Sequence, residues 1–192
     1  MPIEEVVSDP SERLVLVDKN DKKIGAMSKL ECHQGKGTLH RAFSIFLYNA
    51  NGELLLQQRS IDKPLWPLYW SNSCCSHPRD GEIVEEALQR RLQQELGITD
   101  CPLTYLYKFE YQASFGDVGA EHELCSVYIG QYNGKIAPNT MEIADTGYFT
   151  LDQIDTKINS QPENFTPWFK LEWQHVREHL SDIEFAAEVK AS

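Results

Sequence analysis

The sequence predicts an α/β sandwich, a mixed central sheet flanked by helices, and three observations carry that expectation. Between Arg13 and Arg59 the apolar residues fall in short β-branched and aromatic runs divided by turn residues, which is strand composition. At Asp80-Gly81 the pattern changes period, and Glu82–Leu96 reads as one helix. From Leu103 onward strand composition returns before two further helical segments, and such interleaving builds sheet and helix layers around a shared core.

In chain order, Arg13–Asp18 alternates apolar and polar residues as a strand, Asn20-Asp21 turns the chain, and Lys23–Leu30 is its expected partner. Glu31–Thr38 is polar and glycine-bearing, so it reads as loop. Leu39–Tyr48 and Glu53–Arg59 flank the tight-turn pair Asn51-Gly52 and form a hairpin at the centre of the sheet. Ile61–Trp70 holds two prolines and two tryptophans, an irregular loop kept in place by aromatic packing. Glu82–Leu96 is rich in Glu, Gln, Arg and Leu and stops at Gly97, a C-cap residue. Strands follow at Leu103–Gln112, Leu124–Gln131 and Gly147–Thr150, then helices at Leu151–Asn159 and Pro167–Leu180. Beyond Ser181 no pattern is evident. Residues 1–12 read as a flexible lead-in to a single domain spanning 1–192.

A formal charge of −11, from 18 Lys plus Arg against 29 Asp plus Glu, repels nucleic acid and anionic membranes as a global field. An anionic small substrate then requires local cations or a metal. No apolar run is long enough to cross a bilayer, and the start lacks a signal-peptide pattern. Five cysteines, two of them adjacent, make a poor disulfide framework and point to a reducing cytoplasm. A monomer or weak homodimer is the expected state.

Several polar residues sit where packing would not ask for them. On a helical wheel Arg91 and Glu95 fall within about 40° of Val84 and Leu88, on the apolar face, as an i,i+4 ion pair or as functional groups. In an extended segment Glu121 and Glu123 share a face with Cys125, Val127 and Ile129, while His122 points away. Buried carboxylates need a metal, a cation or a proton. Joined by His33, His40 and His77, they make a plausible site for a borderline divalent ion such as Mn²⁺ or Zn²⁺. Cys74 and Cys75 face opposite ways in an extended stretch, so at most one reaches a shared pocket, as nucleophile, acid/base group or buried small hydrophobe.

The chain resembles the type 1 isopentenyl-diphosphate Δ-isomerases, a branch of the Nudix superfamily, over roughly Leu14 to His175. A Nudix-like box lies over Ser76–Ile98, with Glu82, Arg90, Leu92, Glu95 and Gly97 at matching positions. Ser76 replaces a glycine, and Arg91 and Gln94 replace glutamates that in Nudix hydrolases gather Mg²⁺ for diphosphate cleavage, which argues against hydrolysis. The isomerase branch shares that erosion and adds the Asn-Ser-x-Cys-x-His-Pro stretch, here Asn72–Pro78. The resemblance implies a Nudix-like α/β/α sandwich and interconversion of isopentenyl and dimethylallyl diphosphate through a carbocation. It implies Cys75 as catalytic thiol, Glu123 with Tyr111 as its acid–base counterpart, and His33, His40, His77, Glu121 and Glu123 as ligands of one divalent metal. Glu95 and the Cys75 carbonyl would hold a Mg²⁺ that bridges to the diphosphate. Lys29, Arg59, Lys63 and Arg91 would contact the diphosphate, and Trp168 with Tyr111 would line the hydrocarbon pocket. The order of the two proton transfers stays open. The rival readings are a Nudix diphosphate hydrolase and a non-catalytic metal-binding Nudix domain.

Overall fold

The computed structural model describes residues 3–191, with side chains through residue 182. Nine strands form one sheet: β1 (Arg13–Val17), β2 (Lys23–Ser28), β3 (His40–Tyr48), β4 (Leu54–Arg59), β5 (Trp70–Ser71), β6 (Cys74–Ser76), β7 (Thr104–Phe115), β8 (Gly119–Gln131) and β9 (Ile143–Phe149). Four helices accompany them: α1 (Lys29–Cys32), α2 (Val84–Leu96), α3 (Leu151–Ser160) and α4 (Pro167–Ala191). Among these residues no helix is long and apolar enough to cross a membrane.

β3 is the hub. It runs parallel to β8 from His40↔Glu123 to Tyr48↔Gln131, and antiparallel to β6 at Phe43–Ile45, β1 at Leu16↔His40 and β4 at its far end. Alternation along β3 divides its side chains between two cores. Phe43, Ile45 and Leu47 join Ala87, Leu88, Leu92 and Leu96 of α2 on one face. Ala42 and Phe46 join Cys125, Val127 and Ile129 of β8 and Trp168, Phe169, Trp173 and Val176 of α4 on the other. The result is the expected sheet between helical layers.

Five elements differ in their limits from the sequence reading, for physical reasons. The strand expected over Lys23–Leu30 stops at Ser28, because Ser28 Oγ accepts the Glu31 N–H and the Glu31 carboxylate reaches back to Ser28, a capping box that opens α1. β7, β8 and β9 start or end several residues outside their expected limits, since cross-strand pairing carries polar stretches such as Glu121–Glu123 that period alone does not extend to. α4 continues past Leu180, where the apolar pattern had ended.

The lead-in expected to be flexible is tethered instead. Ile3 N–H donates to the Pro138 carbonyl at 3.2 Å, Thr140 N–H donates to Ile3, and Asn139 exchanges hydrogen bonds with the Glu5 backbone. Val7 is buried, and its carbonyl accepts from Arg91 at 2.9 Å. Short polar stretches carry no periodic signal, so this docking is invisible until the partners are placed.

Candidate active site

A cavity of about 350 Å³ opens at the end of the sheet where β3, β6 and β8 converge. Its lining includes Lys29, His33, Arg59, Lys63, Cys75, His77, Arg91, Tyr111, Glu121, Glu123 and Trp168. Strand parity explains how: Glu121 and Glu123 share the face that continues as Cys125 and Val127, whereas His122 turns outward to Glu110. By the same rule Cys74 packs among the α2 contacts and Cys75 faces the cavity.

His33, His40, His77, Glu121 and Glu123 each offer one donor atom, and all these atoms lie within 4.8 Å of one another. His33 is the C-cap of α1, and its carbonyl accepts the Ala120 N–H at 2.9 Å. That close approach needs Gly119, where a Cβ would stand 2.5 Å from the His33 carbonyl oxygen. His40 places its ring beside β8 through the parallel register, and its Nδ1 sits 2.7 Å from the Thr38 carbonyl. Nδ1 is therefore the protonated nitrogen, which leaves the Nε2 lone pair directed into the cluster.

The cluster could hold a cation. His33 Nε2, His40 Nε2 and Glu121 Oε2 are buried without a hydrogen-bond partner, although His33 Nε2 and Glu121 Oε2 are only 2.8 Å apart. Buried polar atoms rarely go unpaired, so this arrangement could hold a metal ion. Three imidazole nitrogens with two carboxylates suit a borderline divalent ion.

Electrostatics in the metal-free cluster point the same way. Burial drives His77 well below the usual imidazole range, with His40 and His33 adding to the effect, and lowers His40 to about 4 against the pull of Glu121. Burial also opposes ionisation of Glu121, but His33 and His40 overcome it and hold the carboxyl at about 2. Glu123 goes the other way, raised well above the carboxylate range by burial and by the Glu121 charge. The two carboxyls are thus driven apart, Glu121 down and Glu123 up, and a divalent ion would favour ionisation of both.

Glu123 joins the cluster to the rest of the cavity. Its Oε1 lies 2.8 Å from His77 Nε2, and its Oε2 accepts the Tyr111 O–H at 2.6 Å. Tyr111 is the direct cross-strand partner of Glu123, and burial followed by the Glu123 charge keeps its phenol protonated. Cys75 is pushed up to about 12 by burial, with Arg59 opposing, so at neutral pH it is a thiol.

The cavity is also lined by four cations, Lys29, Arg59, Lys63 and Arg91. Arg59 donates to the Trp66 and Leu65 carbonyls at 3.0 and 2.8 Å and lies 5.3 Å from the Trp168 ring centroid. Lys63 pairs with Glu142. Burial lowers Lys29 to about 8, helped by the Lys63 and Arg91 charges. Arg91 is almost wholly buried; it donates to Glu95 at 2.5 and 3.0 Å and to the Val7 carbonyl at 2.9 Å, and reaches Glu142 at 3.4 Å. The i,i+4 ion pair is therefore formed, and the same side chain lines the cavity. Glu95 is turned to Arg91 and to Gln57, behind the cavity surface and not on it.

Four contributors had escaped the sequence reading. Glu142 joins Lys63 to Arg91, Ser8 lines the cavity from the N-terminal segment, and Asn72 anchors Trp168. Glu172 is a buried carboxyl on α4 that accepts from Cys125 at 3.7 Å. Only Asn72 lay in a motif that could have flagged it.

An α/β sandwich with a His/Glu cluster that could hold a metal ion beside a cation-lined cavity narrows the class of this protein. The NUDIX domain family matches residues 38–169. Among solved structures, a Deinococcus radiodurans protein superposes with a TM-score of 0.64 at 23% identity, over 78% of this chain and 90% of that one. A MutT Nudix hydrolase from Burkholderia pseudomallei superposes with a TM-score of 0.57 at 21% identity, over 71% and 97%. These likenesses establish the fold. Two curated relatives reach further: isopentenyl-diphosphate Delta-isomerase 1 of Photorhabdus laumondii is 41% identical over 89% of this chain and 98% of its own length. The isopentenyl-diphosphate Delta-isomerase of Pectobacterium atrosepticum is 39% identical over 88% and 94%. The chain belongs to the isopentenyl-diphosphate Delta-isomerase family of Nudix-domain proteins.

Proposed function

We propose that this chain interconverts isopentenyl diphosphate and dimethylallyl diphosphate by adding a proton at one carbon and removing one from another. The observation that carries the reading is a single cavity lined by a thiol (Cys75), a hydrogen-bonded Tyr111–Glu123 pair, the Trp168 indole and the cations Lys29, Arg59, Lys63 and Arg91. No hydrolytic glutamate cluster accompanies them, since a guanidinium occupies the box position at Arg91.

Lys29, Arg59, Lys63 and Arg91 bind the diphosphate and fix the distance from it to the reacting carbons. The hydrocarbon then lies against Trp168, Tyr111 and Leu65, which keep water from the intermediate. Protonation of the alkene leaves a tertiary cation. The Trp168 π-face stabilises it by roughly 2 kcal/mol when desolvated. One of Cys75 and the Glu123–Tyr111 pair gives the proton that adds to the alkene and the other takes the proton lost from the neighbouring carbon, the 2.6 Å hydrogen bond giving Tyr111 a path to pass a proton to or from Glu123. A divalent ion held by His33, His40, His77, Glu121 and Glu123, of Mn²⁺ or Zn²⁺ type, would fix Glu123. The Mg²⁺ expected at Glu95 and the Cys75 carbonyl does not fit this arrangement, because both Glu95 oxygens are turned to Arg91 and Gln57.

Incubation of purified protein with isopentenyl diphosphate and Mg²⁺ tests the reading. Dimethylallyl diphosphate without released phosphate is the expected product. Released phosphate would indicate a hydrolase, and unchanged substrate a silent metal-binding domain.

A further inference from the structure

Behind Cys75 runs a row of fully buried polar side chains, Ser71, Asn72 and Ser73, that the chemistry above does not use. Burial of such groups is costly unless each is hydrogen-bonded. Ser73 serves the sheet: its Oγ donates to the Leu55 carbonyl at 2.6 Å and accepts the Leu47 N–H at 2.8 Å. Asn72 works in two directions. Its Nδ2 donates to the Cys74 carbonyl at 2.7 Å and the Ile45 carbonyl at 3.2 Å, which fixes the backbone that delivers Cys75. Its Oδ1 accepts from Trp168 Nε1 at 3.2 Å, and that indole N–H is shared with Ser71 Oγ at 3.0 Å.

Besides this N–H, Trp168 is held by aromatic neighbours and by Arg59, whose guanidinium lies 5.3 Å from its ring centroid. Around it stand Trp66, edge-on with centroids 5.3 Å apart, and Tyr111, tilted at 6.2 Å, apolar contacts that a ring can satisfy in several tilts. The N–H is its one polar handle. A cation–π contact depends on which face is presented, so the two acceptors decide whether the indole can act on a positive charge. The base of α4 is docked to the same segment, with Thr166 N–H donating to the Trp70 carbonyl at 3.0 Å and Thr166 Oγ1 lying 3.0 Å from Ser71 Oγ.

We propose that Asn72, assisted by Ser71, is a positioning residue: one amide locks the Trp168 indole plane to the backbone of Cys75, so that cation wall and thiol address the same carbon skeleton. The inference rests on the carbocation reading given above. A plain loop staple would need only the Nδ2 bonds, and the two roles separate experimentally.

The test compares two probes by calorimetry on the metal-loaded protein: a tertiary-ammonium alkyl diphosphate, which mimics the cation, and its saturated neutral isostere. Wild type is expected to prefer the ammonium probe. Asn72→Ala should reduce that preference about tenfold and Ser71→Ala about threefold, with the neutral probe bound within about twofold of wild type, as partial loss of a cation–π contact predicts. Ser71→Ala keeps the Asn72–Cys74 bond, so it decides the matter alone if Asn72→Ala does not fold. Variants that retain the wild-type preference, or that weaken both probes equally, overturn the clamp. A wild type without the preference overturns the carbocation reading, and the clamp with it.

Discussion

Replacing Arg91 with methionine keeps the aliphatic stem and deletes the charge, and the consequence can be worked from the structure. Glu95, 3% exposed, would lose both of its Arg91 hydrogen bonds and retain only Gln57 Nε2 at 3.4 Å. Glu142 would keep Lys63, whereas the Val7 carbonyl would lose its Arg91 donor. Removing one partner of a buried ion pair costs ~3–5 kcal/mol, because the survivor is left charged and poorly solvated. A domain is typically stable by about 5–15 kcal/mol, so the single variant should remain folded but with a sharply lowered urea midpoint. Arg91→Met/Glu95→Met removes both charges and should recover most of the loss, since replacing a whole buried pair by apolar groups is often neutral. Urea unfolding followed by tryptophan fluorescence, at a fixed divalent ion concentration because bound metal adds stability, completes the cycle. A single-variant cost below about 1 kcal/mol, or a double variant as costly as the two singles combined, would refute the claim that the pair is buried and interdependent.

Cys75→Ala and Glu123→Gln should each nearly abolish isomerisation while far-UV circular dichroism stays that of wild type; near-normal turnover in either removes that residue from the mechanism. Chelation should lower both activity and the melting temperature, and an added divalent ion should restore both, whereas His40→Ala should lose the metal-dependent part of the melting temperature. An unchanged melting temperature after verified metal removal would contradict a ligand role for the cluster. Glu172 gives a pH test: burial raises its carboxyl to about 8, against opposing hydrogen bonds from Ser44 and Cys125. From the ordinary 4.5 up to about 8 the unfolded chain releases this proton and the folded one keeps it, so the residue destabilises the fold progressively as pH rises through that window. Glu172→Gln should accordingly gain about 3 kcal/mol relative to wild type between pH 5.5 and pH 8 by urea unfolding. A difference that does not vary with pH would mean Glu172 ionises normally in the fold.

The sheet, the α2 helix and the pairing of Glu121 with Glu123 on one face were legible in the sequence because each follows from a local rule. Strand parity alone put Glu121 and Glu123 on one face and separated Cys75 from Cys74. Helical period put Arg91 and Glu95 on the buried side of α2. What stayed hidden depends on contacts between distant segments. Glu142 sits in a loop without periodicity, and its role exists only once Lys63 and Arg91 are brought to it. The Asn72 clamp needs a partner almost a hundred residues away on α4. The capping box at Ser28 was readable from Ser28 and Glu31, but the alternation of the preceding strand masked it.

The charge economy of the site follows from the same geography. A chain of net charge −11 assembles four cations, from α1, β4, the following loop and α2, at one cavity. Left free, long cationic side chains would repel one another and sample many rotamers. Here Arg59 is held by two loop carbonyls, Lys63 by Glu142, and Arg91 by Glu95, Glu142 and Val7. Their ordering entropy is therefore lost on folding and not again on binding, which is the condition for a preorganised anion site. The acidic exterior meanwhile opposes extended polyanions, whose charge must lie against a broad surface, far more than a small diphosphate that reaches the cations inside. An isomerase working on a compact diphosphate gains selectivity from that contrast, and neutralising surface carboxylates should relax it without altering turnover of the small substrate.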